Sequence, residues 1–105
     1  MAIFELRIYT LKPGRLDAYL QLYHDEAMAI HTGHLGPSVG WWKSEIGPLN
    51  QIVMLWRYDS LADRDARRAR LQADPAWRAF LPKTGDYIVT MENRILTPAF
   101  FSPMQ

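Results

Sequence analysis

The 105-residue sequence contains no cysteine, only three histidines and no long apolar run. Without cysteine the chain can form no disulfide, no thiolate nucleophile and no zinc site built on sulfur. No apolar run approaches the roughly 20 residues that a membrane-spanning helix needs. The charged residues Glu5 and Arg7 come too early for the apolar core of a secretory signal. We therefore expect a cytoplasmic protein without a membrane partner.

The net charge is also small. Twelve basic and eleven acidic side chains leave a formal charge of +1, so the chain lacks the positive footprint of a nucleic-acid-binding domain. Apolar residues make up 49% of the chain and charged residues 22%, which is typical of a folded globular domain. We predict one domain over residues 1–105, with an extended tail at residues 97–105.

The hydrophobic pattern changes period several times along the chain. Alternation predicts strands over residues 3–11, 39–46, 52–58 and 87–96, and helical spacing predicts a helix over residues 15–31. Ser60 and Asp74, the latter followed by Pro75, are helix-capping signals that predict a second helical region over residues 60–81. The order βαββαβ predicts an α+β, ferredoxin-like sandwich, in which an antiparallel four-stranded sheet carries its helices on one side.

The alternation also predicts which side chains share a face of the sheet. We assign Phe4, Leu6 and Ile8 to the face beneath the helices, together with Trp42, Val53 and Leu55. A short hairpin at residues 47–50 would place Glu45 opposite Ile52, Lys43 opposite Met54 and Trp41 opposite Trp56. The uncovered face would then carry Glu5, Arg7, Tyr9, Trp41, Lys43, Glu45, Met54, Trp56, Glu92 and Arg94.

Two tryptophans on an uncovered sheet face indicate a partner surface. The simplest partner is a second copy of the chain related by a two-fold axis. We therefore predict a homodimer that packs sheet against sheet and encloses a chamber of mixed polarity.

Three blocks of the sequence resemble the NIPSNAP family. These are residues 4–15 (FELRIYTLKPGR), residues 44–51 with 55–61 (SEIGPLNQ and LWRYDSL), and residues 92–96 with Pro98 and residues 101–103. The resemblance implies the dimeric α/β-barrel fold, whose related proteins include cofactor-independent monooxygenases, haem-handling enzymes and small lactone isomerases. Members of the family often carry histidine where this chain has Met54.

Charged and aromatic residues of the predicted uncovered face are the candidates for chemistry. Carboxylates beside a guanidinium and a tyrosine can bind an acid or transfer a proton, and indoles with a thioether suit a flat apolar ligand. The catalytic candidates are Glu5, Arg7, Tyr9 and Glu45. The ligand-binding candidates are Trp41, Lys43, Met54, Trp56, Glu92 and Arg94. The alternative is that the charges form an ion-pair network and the aromatics only pack the dimer.

The remaining motifs predict no bound cofactor. His31 and His34 cross a helix end and lack a third ligand, so we expect them, with His24, to be ordinary surface or capping residues, and we predict no metal site. No glycine-rich phosphate loop or nucleotide fingerprint is present. Two functions stay open: an acid/base or oxygenase-type enzyme acting on a small organic ligand without a cofactor, and a non-catalytic module whose sheet face serves assembly.

Overall fold

The computed structural model describes all residues, 1–105, and contains a sheet, four α-helices and one 3₁₀ helix. The strands are β1 (Ile3–Leu11), β2 (Gly40–Lys43), β3 (Gln51–Tyr58) and β4 (Ile88–Leu96). The helices are α1 (Leu16–Glu26), α2 (Met28–Leu35), α3 (Leu61–Ala73) and α4 (Pro75–Phe80), and the 3₁₀ helix spans Leu81–Asp86.

The four strands form one antiparallel sheet in the order β2-β3-β1-β4, with the helices packed against one face. This arrangement confirms the predicted ferredoxin-like α+β fold. The longest helix, α3, has 13 residues, and no helix has the length and hydropathy to cross a bilayer.

Side-chain caps fix the start of two helices, and a backbone irregularity divides the first helical region. The Ser60 hydroxyl accepts a hydrogen bond from the Asp63 amide at 3.0 Å, and the Asp74 carboxylate accepts one from the Ala76 amide at 2.8 Å, which confirms both capping predictions. The predicted first helix is instead two helices, because Ala27 leaves helical geometry between them (φ −120°, ψ −30°).

The hairpin between β2 and β3 is wider than predicted. Trp41 pairs with Met54 and Lys43 with Ile52, so the register differs by two residues from our expectation. Each side chain keeps its face, because side chains alternate with a period of two. β2 therefore ends at Lys43, and Glu45 lies exposed in the connecting loop.

The helices cover the face that the sequence predicted to be open. Glu5, Met54 and Trp56 are buried at 0%, 1% and 1% exposure, and Trp56 contacts His31 of α2. Leu6, Ile8 and Val53 lie on the other face, which carries no helix. The assignment failed because alternation defines two faces without showing which of them receives the helices.

Glu92 and Arg94 do not share a face with Glu5 and Arg7, contrary to the prediction. In the β1–β4 register, Glu92 pairs with Ile8 and Arg94 with Leu6, so both exposed charges share the open face with these apolar residues. Trp42 lies there as well and is 53% exposed.

The tail at residues 97–105 has no helix or strand and folds back toward the open face. The Arg57 Nε atom donates to the carbonyl of Gln105 at 2.9 Å. The tail and the sheet enclose an apolar groove of about 220 Å³ over Phe4, Leu55 and Leu96. Phe4 is therefore buried, although it lies on the face that carries no helix.

Candidate functional site

A cleft opens between the covered face of the sheet and the helices. Its free volume of about 160 Å³ is below the roughly 300 Å³ of a typical ligand pocket, but it matches a cavity of about 150 Å³ that accepts benzene. The cleft therefore has room for a molecule the size of one ring. Its lining residues are Arg7, Tyr9, Tyr19, Tyr23, His31, Trp41, Met54, Arg68, Gln72, Trp77, Leu81 and Met91.

A buried carboxylate lies beside this cleft. The Glu5 Oε2 atom accepts hydrogen bonds from Arg64 at 2.7 Å and Asn93 at 2.9 Å, and it lies 3.6 Å from a guanidinium nitrogen of Arg7. Burial alone would raise the pKa of Glu5, but the hydrogen bond from Arg64 and the charge of Arg7 outweigh it and hold the pKa below its ordinary value. An ionised, paired carboxylate of this kind is a weak base.

Arg68 of α3 is the unpaired cation of the site. Its side chain is half-buried and lines the cleft beside Arg7. Burial and the nearby charge of Arg7 lower the pKa of Arg68, and no carboxylate forms a salt bridge with it. Arginine stays protonated in proteins, so the cleft contains an uncompensated positive charge.

His31 lies in an aromatic sandwich at the cleft wall. Its ring stacks on Trp77 at 4.7 Å between centroids and 17° between planes, and it meets the Trp56 ring edge-on at 4.7 Å. The Tyr23 hydroxyl lies 2.7 Å from His31 Nδ1. Burial, aided by the charges of Arg68 and Arg7, lowers the pKa of His31 to about 3, so the ring is neutral at neutral pH.

Tyrosines and Trp41 complete the wall of the cleft. The rings of Tyr23 and Trp41 lie 4.3 Å apart, and those of Tyr9 and Tyr19 lie 6.4 Å apart. Burial raises the pKa of both Tyr19 and Tyr23, which keeps their hydroxyls protonated. The wall thus presents flat apolar surfaces with neutral hydroxyl groups.

Only part of the predicted site comes together. Arg7, Tyr9, Trp41 and Met54 line the cleft. Glu5 and Trp56 are buried beside it. The other predicted residues lie elsewhere: Lys43 pairs with Asp17 at the surface, Glu45 lies in the hairpin loop, and Glu92 and Arg94 lie on the open face.

The helices contribute cleft residues that were not among the candidates predicted from the sequence. Tyr23, His31 and Arg68 reach the cleft from α1, α2 and α3. One signal could have identified His31, because Ala27, His31 and Leu35 follow one another at spacings of four and are all buried. The histidine therefore lies on an apolar stripe, although we expected a surface or capping residue. No group of three or more histidine, aspartate and glutamate side chains converges to form a metal site.

The sequence profile of the NIPSNAP family matches residues 4–103. The chain belongs to the NIPSNAP family. A NIPSNAP family protein with unknown function from Agrobacterium tumefaciens is 51% identical, with a TM-score of 0.94 over 99% of this chain and 94% of that one. The NipSnap homolog of Dictyostelium discoideum is 35% identical to 91% of the chain.

This NIPSNAP domain spans about two fifths or less of the curated relatives that it matches, covering 42% of the Dictyostelium discoideum protein and 42% of the human NipSnap homolog 3B. Its fold extends beyond the family. A putative antibiotic biosynthesis monooxygenase from Bacteroides thetaiotaomicron is 18% identical, with a TM-score of 0.67 over 99% of the domain and 94% of that chain. That likeness shows a shared fold alone.

Proposed function

We propose that this NIPSNAP domain binds a small organic acid in the cleft between its sheet and its helices. The observation that carries the proposal is the Arg68 guanidinium, which lines the cleft half-buried without a carboxylate partner. A buried charge without a counter-ion is costly. A bound carboxylate supplies the missing negative charge and can accept paired hydrogen bonds from a guanidinium.

The shape of the cleft restricts the rest of the ligand. Its volume of about 160 Å³ admits one ring or a short conjugated chain. Tyr9, Tyr23 and Trp41 provide aromatic surface beside the arginines. A flat acid with its carboxylate toward Arg68 and Arg7 satisfies both features of the site.

We further propose that the domain forms a homodimer through the open face of the sheet. This face carries Leu6, Ile8, Val53 and the half-exposed Trp42, an apolar surface typical of an interface. The ligand site and the dimer interface thus occupy opposite faces. The predicted chamber between two sheets is replaced in this proposal by one cleft within each protomer.

The open face also supports the second candidate function, a non-catalytic module that serves assembly. The two functions differ in what the cleft does. An assembly module needs only the open face, whereas a ligand-binding domain needs the positive charge of Arg68 in the cleft.

Benzoate tests the cleft, with benzamide as an uncharged probe of the same shape. We expect isothermal titration calorimetry to show binding of benzoate and at least about tenfold weaker binding of benzamide, because charge-assisted hydrogen bonds are about twice as strong as neutral ones. Arg68→Met should weaken benzoate binding by a similar factor. Arg70→Met, which removes an exposed arginine from the same helix, is the matched control.

Two results would contradict the proposal. Equal affinity for benzoate and benzamide would show that charge does not select the ligand. Benzoate affinity that is unchanged in Arg68→Met would show that Arg68 does not hold the acid. In either case the assembly function would be favoured.

A further inference from the structure

One side chain of the cleft has a nitrogen with a free lone pair at neutral pH. The arginines of the cleft are permanent cations, the raised pKa values of Tyr19 and Tyr23 keep their hydroxyls protonated, and no carboxylate is among the lining residues. His31 alone presents a neutral nitrogen. Burial and then the charges of Arg68 and Arg7 lower its pKa to about 3, and a bound acid, by offsetting those two charges, raises the pKa and makes the ring a stronger base. The chemistry open to this cleft therefore centres on an imidazole beside two guanidinium groups.

Three contacts fix the orientation of the His31 ring. Trp77 stacks on one face of the ring, Trp56 meets it at an angle of 66°, and the Tyr23 hydroxyl hydrogen-bonds with Nδ1. Nε2 has no hydrogen bond within the chain, and it is not among the polar atoms that are sealed from solvent without a partner. It is therefore the ring nitrogen available to a molecule in the cleft.

We propose that His31 removes and returns a proton on a bound 2-oxo acid, so that the cleft catalyses keto–enol interconversion. The inference rests on the proposed binding of a small acid. A 2-oxo acid carries a carboxylate for the arginines and a carbonyl group that acidifies the adjacent C–H bond. Its smallest members are also short enough for a cleft of about 160 Å³.

The step balances without an oxidant or a reductant. The C–H bond beside the carbonyl breaks, and its proton passes to His31 Nε2. The electron pair of that bond forms the carbon–carbon double bond of the enolate, whose oxygen takes the negative charge beside Arg7 or Arg68. Return of the proton to carbon regenerates the keto acid, and protonation on oxygen releases the enol.

Tyr23 is a positioning residue in this scheme. Its hydroxyl oxygen lies 2.7 Å from Nδ1 and accepts a hydrogen bond from the Nδ1–H tautomer, which is the tautomer that leaves Nε2 free to take a proton. It does not need to contact the reacting carbon. Its removal should therefore slow proton transfer without weakening ligand binding.

Deuterium exchange tests the proposal directly. We expect the chain in D₂O to accelerate the loss of the C3 proton signals of 2-oxobutanoate, followed by proton NMR. His31→Gln should slow the protein-dependent exchange about 100-fold, the lower range for loss of a general base. His34→Gln is the matched control, because His34 pairs with Asp74 at 2.8 Å and does not line the cleft, and its exchange rate should equal that of the parent chain.

Tyr23→Phe provides a second variant that keeps the aromatic ring and removes only the hydroxyl. We expect a lower exchange rate at saturating 2-oxobutanoate with an unchanged dissociation constant. This variant also decides the matter if His31→Gln does not fold. Exchange at the parent rate in Tyr23→Phe would then overturn the assigned roles of the pair.

The possible outcomes distinguish proton transfer by His31 from the acid binding on which it rests. Calorimetric binding of 2-oxobutanoate without accelerated exchange would overturn proton transfer and leave acid binding intact. Exchange in His31→Gln equal to that of the parent would exclude His31 as the base. Absence of binding by both benzoate and 2-oxobutanoate would overturn the acid site and, with it, the reaction.

Discussion

The two faces of the sheet depart from the usual separation of buried apolar and exposed charged side chains. The covered face contains an ionised carboxylate, Glu5, and a guanidinium, Arg7, together with Met54 and Trp56. The open face presents Leu6, Ile8 and Val53, with charged side chains beside them. Polarity alone therefore does not show which face is interior. What matters is whether a partner is available for each charge.

Helix α3 supplies those partners. Its sequence is rich in arginine and aspartate, and its Arg64 donates to Glu5 at 2.7 Å, whereas Arg68 lines the cleft without a carboxylate partner. Long arginine stems can pack against apolar side chains while the guanidinium reaches a polar partner. Glu5 can thus remain ionised on the covered face, because Arg64 of the helix above it carries the opposite charge.

The comparison predicts that a glutamate on the covered face is far more important for stability than one on the open face. Glu5→Gln should lower the free energy of unfolding by about 3–5 kcal/mol, because it leaves buried guanidinium groups without their counter-ion. Glu92→Gln, the matched control on the open face, should cost less than about 1 kcal/mol. Urea denaturation followed by circular dichroism measures both values. Equal losses would contradict the difference between the faces.

The covered face should also make stability depend on pH through His31. Its pKa is about 3 in the folded chain, against an ordinary value of 6.5. Between these values the unfolded chain binds the proton and the folded chain does not, so stability rises with pH. It is fully present above pH 6.5 and falls as the pH drops toward 3.

We expect a loss of about 2 kcal/mol from pH 6.5 to 4.5, the range above the ordinary pKa of carboxyl groups. Denaturation at several pH values measures this slope. His31→Gln should abolish most of it, and His34→Gln should retain it. A parent chain whose stability is constant across this range would show that His31 is not buried in its neutral form.

The open face gives the smallest predicted effect, which concerns dimer affinity. Glu92 and Arg94 lie two residues apart on the same face of β4. A two-fold axis crossing β4 between them would bring each carboxylate opposite the partner's guanidinium. We expect Glu92→Arg or Arg94→Glu to weaken the dimer about tenfold and the double exchange to restore it.

Analytical ultracentrifugation across a dilution series measures these affinities. Single variants that dimerise like the parent would place the two-fold axis elsewhere. A parent chain that is monomeric at every concentration would contradict dimerisation through the open face.

The secondary-structure elements could be predicted because the signals that define them are local. The change from alternation to helical spacing, the caps at Ser60 and Asp74 and the loop after β2 depend on neighbouring residues. These signals were enough to predict the strand order of a ferredoxin-like sheet. Candidates on β1 such as Arg7 and Tyr9 also proved to line the cleft, because every second residue of a strand shares one face, whichever way that face is directed.

The full set of cleft residues could not be predicted from the sequence, because these residues come together only when the helices pack on the sheet. Arg68 lies more than 60 residues along the chain from Arg7, and no local pattern links them. Glu92 was grouped with Glu5 and Arg7, although it lies on the other face from them, because the parity of the β1–β4 register depends on long-range pairing.

The sequence by itself determined the elements, their order and the NIPSNAP family, since propensity, period and capping act over a few residues. Only the tertiary structure decided which face of the sheet the helices cover. That choice depends on the ion pair between Arg64 of α3 and Glu5, and on the packing of His31 between Trp56 and Trp77. Both are properties of packed layers, which a single strand or helix does not possess.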